Sequence, residues 1–378
     1  MDCTPALIVF VVSVAAILYS YALYPLLLVV LPKRRHEPPA DPANWPPVSV
    51  LVSVYNEEKH IAERIENLLA LDYPRDKLQI LIGSDGSTDK TNEIVGSYSD
   101  PRVKLHTFSP REGKPSVLND LMAETTGELL VFTDANTMFA RDALRKLVRH
   151  FSNPRIGGVC GRLVLHGDDS ETSEGPYWKL ETFLKEQESA IDSCLGANGG
   201  IYAIRKSAWR GIPDNTLVDD FVIAMRVREM GLRVVYDTEA VATEEVPESV
   251  EHEMTRRIRI GAGGFQAMLL CWPSLLPWRG FYSFAFWSHK VLRWLGPFFM
   301  IAALVANVAL LPHPFFTGLL VLQFTFYALA TLGHLVRKKH FLLLSAPHYF
   351  VVINFALLLG FLRFITGSQR AAWKRTVR

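Results

Sequence analysis

The stretch Leu129–Asn136, LLVFTDAN, delivers two oxygen-bearing side chains, Asp134 and Asn136, one residue apart. Two such groups can share a hard divalent cation, which needs only one or two protein ligands when phosphates supply the rest. Asp and Asn are also ordinary turn residues, so the pair counts only with what surrounds it. Asn56 and Glu57 follow the apolar run Val48–Val54, and Asp85 follows the run Leu78–Ile82. Acidic and amide groups that converge at one sheet edge repel each other unless a cation or a hydroxyl-rich ligand lies among them. A nucleotide with its metal supplies both. Further on, Asp219 and Asp220 stand in the first turn of a helical pattern, where the helix dipole favours acids. Arg256 and Arg259 are three apart and share a helix face. Guanidinium groups suit phosphate oxygens, although a basic helix could equally lie against anionic headgroups.

These groups need a scaffold. Val48–Val54, Leu78–Ile82, Val103–Phe108 and Leu129–Thr133 read as buried strands. Helical spacing recurs between them, at Ile61, Ile65, Leu68 and Leu69 and at Val117, Leu118, Leu121 and Met122. Alternating strands and helices imply an α/β fold whose parallel sheet has right-handed crossovers. Ligands in such sheets sit beyond the carboxyl ends of the strands, where the polar residues gather. Asn198-Gly199-Gly200 precedes a short strand at Ile201–Ile204, and its glycines let backbone approach a ligand.

The chain has 378 residues, 49% hydrophobic and 21% charged, with the two classes segregated. Ala6–Leu31 is long and apolar enough to span a bilayer, and Lys33, Arg34 and Arg35 follow at once. That is too long, and the basic cluster on the wrong side, for a cleaved signal peptide. Three more apolar runs follow at Trp294–Leu311, Phe315–Leu335 and Phe341–Leu362. The expected plan is an anchor at 1–32, a proline-rich linker at 33–45 and a soluble domain at 46–264. An aromatic interfacial segment at 265–290, C-terminal transmembrane helices at 291–365 and a basic tail at 366–378 complete it. The positive-inside rule puts the soluble domain in the cytoplasm. It also asks for Arg337-Lys338-Lys339 and the basic tail on one side, so either 341–362 is re-entrant or the number of spans differs by one. Cys3, Cys160, Cys194 and Cys271 show no metal-type spacing. The net charge of +2 argues against a nucleic-acid partner.

With these motifs assembled, the chain resembles the membrane-bound family-2 glycosyltransferases, related to the hyaluronan, chitin and poly-N-acetylglucosamine synthases. The matching stretches are VSVLVSVYNEEKHI, SDGSTDKT, GKPSVLN and TDAN. The resemblance implies the GT-A fold, a Rossmann-like mixed sheet that binds nucleotide sugars, flanked by transmembrane helices. It implies that Tyr55, Glu57 and Asp85 hold the nucleoside, that Lys114 lies near the nucleotide, and that Asp134 and Asn136 occupy the D-x-D position for Mg²⁺ or Mn²⁺ and the diphosphate. Asn136 departs from that motif, so metal affinity is reduced or another carboxylate assists. Asn198, Gly199 and Gly200 match the floor of the acceptor pocket. Asp219 and Asp220 match the family's T-E-D motif, with Asp220 as general base and Asp219 raising its pKa. Arg256 and Arg259 match the Q-x-x-R-W motif of processive members, but Arg256 replaces the Gln and Ile260 the Trp.

The reading that follows is a metal-dependent inverting transferase in the cytoplasmic (inner) membrane of a bacterium. It moves a sugar from a nucleotide donor, most simply a UDP-sugar, to a lipid-linked or saccharide hydroxyl, with the bilayer and polysaccharide-export proteins as partners. The alternatives are a processive polysaccharide synthase and a catalytically inactive membrane scaffold. A nucleotidyltransferase would leave the Asp219-Asp220 helix and the aromatic segment without a use.

Overall fold

A computed structural model describes residues 4–34, 38–166, 176–245, 250–336 and 342–369. Arg35, Arg337-Lys338-Lys339 and the tail from Arg370 lie outside the described residues. The chain forms two compact units. Among the described residues, one lies within 31–252 and 269–283; the other lies within 4–30, 253–268 and 284–369.

The first unit is built on an eight-stranded mixed sheet: β1 (Val48–Val54), β2 (Leu78–Asp85), β3 (Val103–Phe108), β4 (Leu129–Thr133), β5 (Thr137–Phe139), β6 (Ile156–His166), β7 (Tyr202–Arg205) and β8 (Arg233–Glu245). The spatial order is β3-β2-β1-β4-β7-β6-β8-β5. The first four strands in that order are parallel, as their alternation with helices requires. β7 then runs antiparallel to β4 and β6, so the sheet is mixed. Val50, Ile80 and Val131 are fully buried, which suits strands covered on both faces. The Ile61–Leu69 and Lys114–Leu121 helices lay their apolar residues Ile61, Ile65, Leu68, Val117, Leu118 and Leu121 inward.

Two boundaries differ from the sequence expectation. β2 runs three residues past Ile82 because Gly83, Ser84 and Asp85 pair with His106, Thr107 and Phe108 of β3. Asp85 is therefore the last residue of the strand rather than part of the turn. The strand expected at Ile201–Ile204 lies at Tyr202–Arg205, set by the pairing Leu129↔Arg205 to Phe132↔Tyr202.

The second unit is helical. Thr4–Val30 forms one run of 27 residues, with a π-helical turn at Tyr19–Leu23, and helices follow at Pro314–Val336 and Leu342–Ile365. These three are long and apolar enough to cross a membrane. The last is one unbroken helix of 24 residues with Pro347 inside it. The expected run at Trp294–Leu311 gives a shorter helix, Gly296–Ala309, bent by 61° from the Phe281–Trp294 segment before it. The described residues thus hold three such helices, or four spans if the bent pair is counted as one. Within this unit, a Cβ at Gly360 would stand 2.7 Å from the Ala262 backbone N, so only glycine permits that close helix approach.

Candidate active site

β1, β2 and β4 end within three residues of one level: β4 stops at Thr133, opposite Val52, while β1 runs on to Val54 and β2 to Asp85. The residues that follow are thus presented at one edge. Thr133 donates its hydroxyl to the Gly200 carbonyl at 2.7 Å, tying the end of β4 to the Asn198–Gly200 turn. Its oxygen also accepts from the fully buried Arg64 at 2.7 Å. Burial lowers the Arg64 guanidinium to about 9.

Asp134, immediately after β4, meets Lys114 from the start of the Lys114–Leu121 helix, Nζ to Oδ1 at 2.8 Å. The same ammonium lies 3.4 Å from Asp219 Oδ2, in the first turn of the Asp219–Glu229 helix. Burial works against the Lys114 charge, but Asp134 and Asp219 overcome it and its pKa is raised. Asp220 accepts from its neighbour's backbone, Phe221 N to Oδ1 at 2.7 Å. A Cβ on Gly199 would stand 3.2 Å from Asp220 Oδ2 and 3.8 Å from Asp134 Oδ2. Both carboxylates therefore face the same bare Cα. Burial and the adjacent Asp219 charge raise the Asp220 carboxyl, against the opposing pull of Lys114 and Lys185.

Asp134, Asp219, Asp220, Lys114, Gly199 and Gly200 are brought together. Asn198 belongs to the wall behind them. It is buried, its Oδ1 accepts from Lys185 Nζ, and its Nδ2 donates to the Gly161 carbonyl at 2.8 Å. Tyr55 and Asp85 form an adjoining group around Arg111, whose guanidinium stands 3.5 Å from the Tyr55 ring centroid. Asp85 is 3% exposed and binds the backbone N–H of Glu112 at 2.8 Å and of Gly113 at 3.0 Å. It thereby fixes the turn that launches Lys114. The Glu57 backbone N–H donates to Thr91 Oγ1 at 2.8 Å. Arg256 and Arg259 lie on the Val250–Leu270 helix in the other unit, where Arg256 pairs with Glu253 at 2.8 Å.

Sequence reasoning missed Glu244 and Lys185. Asn136 donates from Nδ2 to Glu244 Oε1 at 3.2 Å. Glu244 is thus a carboxylate beside the weak position of the D-x-D motif, brought there by the register Thr137↔Glu244. That antiparallel pairing joins residues a hundred apart and leaves no local signal. Lys185 is a buried lysine on the Pro176–Ile191 helix, detectable in sequence only as a charge in an otherwise mixed pattern.

The donor set suits a hard cation. Asp134 offers a carboxylate, and Asn136, whose amide nitrogen faces Glu244, offers a carbonyl oxygen. Among the described residues no group of three His, Cys, Asp or Glu could hold a metal alone. Asp134 and Asn136 would thus supply one or two oxygens and leave the rest to a phosphate ligand, as Mg²⁺-type sites do.

Residues 49–210 match the family described as Glycosyl transferase family 2. The chain is 24% identical to a poly-beta-1,6-N-acetyl-D-glucosamine synthase of Staphylococcus epidermidis, over 71% of this chain and 68% of that protein. It is 26% identical to the beta-monoglucosyldiacylglycerol synthase of Synechocystis sp., over 60% of this chain and 50% of that protein. The chain thus matches between half and about two thirds of these relatives' length. Among solved structures, the mannosyltransferase PcManGT from Pyrobaculum calidifontis, in complex with GDP-Man and Mn²⁺, superposes with a TM-score of 0.73. That likeness has 23% identity and covers 98% of this chain and 100% of the other. The fold is GT-A, and the region that matches family 2 shares its chain with three helices long and apolar enough to cross a membrane.

Proposed function

We propose that this glycosyltransferase moves one sugar from a nucleotide-sugar donor, a UDP-sugar in the simplest case, to a hydroxyl of a lipid-linked or saccharide acceptor at the cytoplasmic face of the membrane. The observation that carries the reading is the convergence of Asp220 and Asp134 on Gly199, with Lys114 bridging Asp134 and Asp219.

The chemistry follows from these residues. Asp220 accepts the proton of the acceptor hydroxyl as that oxygen attacks the anomeric carbon. A positioned carboxylate in this role contributes roughly 10²- to 10⁴-fold. One base and a single displacement invert the anomeric centre. Gly199 leaves room for the acceptor over both carboxylates. Lys114 supplies positive charge beside the diphosphate, and Asp134, Asn136 and the donor's phosphates together provide the ligands of a divalent ion. When bound, that ion, Mg²⁺ or Mn²⁺, neutralises charge on the departing nucleoside diphosphate. PcManGT was solved with GDP-Man and Mn²⁺, which supports a nucleotide-sugar donor and a cation on this fold.

The named relatives divide between a polymer synthase and a glycolipid synthase. Ile260 in place of the tryptophan of processive enzymes favours single transfer. The test is product analysis. Full-length protein in nanodiscs receives nucleotide sugars with membrane lipid extract or with oligosaccharides. A lipid carrying one added sugar of inverted configuration supports the proposal. A saccharide ladder moves it to the synthase reading, and a retained configuration contradicts it.

A further inference from the structure

Glu244 lies inside the sheet rather than on a loop. Thr137 of β5 stands opposite it on one side and Leu165 of β6 on the other, so its backbone is held by two ladders. A carboxylate carried there needs a polar partner. Asn136 is that partner, its Nδ2 donating to Glu244 Oε1 at 3.2 Å. Both side chains are only half-buried, so neither is closed off from a ligand.

The chemistry of the pair fixes the amide. A carboxylate only accepts, so Asn136 turns its NH₂ toward Glu244 and its Oδ1 the other way. That oxygen makes no hydrogen bond among the described residues. Asn136 thus keeps one oxygen free, two residues from Asp134, for the cation that Asp134 and the donor's phosphates would share. An aspartate at 136 would instead bring a second carboxylate against Glu244 with no proton between them, and like charges so close repel. We propose that Glu244 is a positioning residue of the cation site: it orients the Asn136 oxygen, and it makes asparagine, not the second aspartate of the D-x-D motif, the residue that suits position 136. The proposal rests on the glycosyltransferase reading above.

The experiment measures Mn²⁺ binding from the loss of the free-ion EPR signal, with full-length protein in nanodiscs and UDP or GDP present. Wild type is compared with Glu244→Gln, Asn136→Asp and the double variant. Glu244→Gln keeps the shape of the side chain but lets the asparagine amide turn either way, and Mn²⁺ affinity should fall about 10-fold. Asn136→Asp restores the motif and should nevertheless weaken Mn²⁺ as well. In the double variant the glutamine amide donates to the new carboxylate, the same pair with its roles exchanged. Most of the loss should then be recovered, so the two single effects do not add. Nucleotide affinity in EDTA should be the same in all four proteins. Mn²⁺ bound by Asn136→Asp at or above the wild-type level, unchanged Mn²⁺ affinity in Glu244→Gln, a double variant no stronger than either single one, or a matching fall of nucleotide affinity in EDTA would overturn the proposal. If wild type holds no Mn²⁺ with either nucleotide, the metal-dependent transferase reading itself fails, and the proposal with it.

Discussion

Asp220 combines a catalytic demand with a stability cost. Burial and Asp219 raise its carboxyl, and a base must be deprotonated to act. Turnover should therefore fall on the acid side through a pKa above the ordinary value of about 4. Asp219→Asn removes the like charge, and the acid limb of the kcat profile should move to lower pH. The same shift has a sign for folding. The folded chain holds this proton more tightly than the unfolded chain, so its contribution to stability is full at low pH. That contribution is lost as pH rises from the unfolded value through the raised folded one. Asp220→Asn should accordingly melt above wild type at pH 8, with the gap closing toward about pH 4; identical melting at pH 8 would count against a buried, charged Asp220. Gly199→Ala should abolish turnover while leaving the melting temperature nearly unchanged, because the added methyl enters the space between two carboxylates. Asp134, Asp219 and Asp220 were readable in the sequence because each follows a strand or opens a helix.

The elements hold these residues by contacts of two kinds. Local ones, such as Asp85 fixing the Glu112-Gly113 turn, keep Lys114 in place. Non-local ones stitch the β6–β8 part of the sheet to its covering helix. Arg149 and His150, at the end of the Ala143–Arg149 helix, both reach Asp237 of β8, at 2.8 and 2.7 Å. Burial alone would raise Asp237, but the hydrogen bonds from His150 and Arg149 hold it down at about 2. Its contribution is therefore present above the ordinary carboxylate value and lost as pH falls toward about 2. Asp237→Ala removes the carboxylate that Arg149 and His150 share, while Glu239 still pairs with Arg149 at 2.6 Å, and should cost about 1–3 kcal/mol in urea unfolding at neutral pH. β1, β3 and β4 have the bounds their apolar runs announce. The ends of β2 and β7, and the place of Glu244, depend on cross-strand partners far away in sequence, which periodicity does not encode.

At the scale of the whole molecule, a GT-A domain and a set of apolar helices share one chain. Composition alone announced that division, because charged and apolar residues are segregated along the sequence. Helix bending was not announced. The break before Gly296 turns an apparent span into a bent pair, and a continuous helix runs through Pro347. The protein should stay in the membrane pellet after alkaline carbonate washing; release into the supernatant would contradict the reading of its three long apolar helices. The most direct test of the central claim is nucleoside diphosphate release from a panel of nucleotide sugars, run on wild type and on Asp220→Asn in nanodiscs with membrane extract and Mg²⁺ or Mn²⁺. The account predicts release from one donor by wild type, its loss with EDTA, and a fall of roughly 10²- to 10⁴-fold in the variant with donor binding intact. Undiminished release by Asp220→Asn, or none from any donor by wild type, would contradict it.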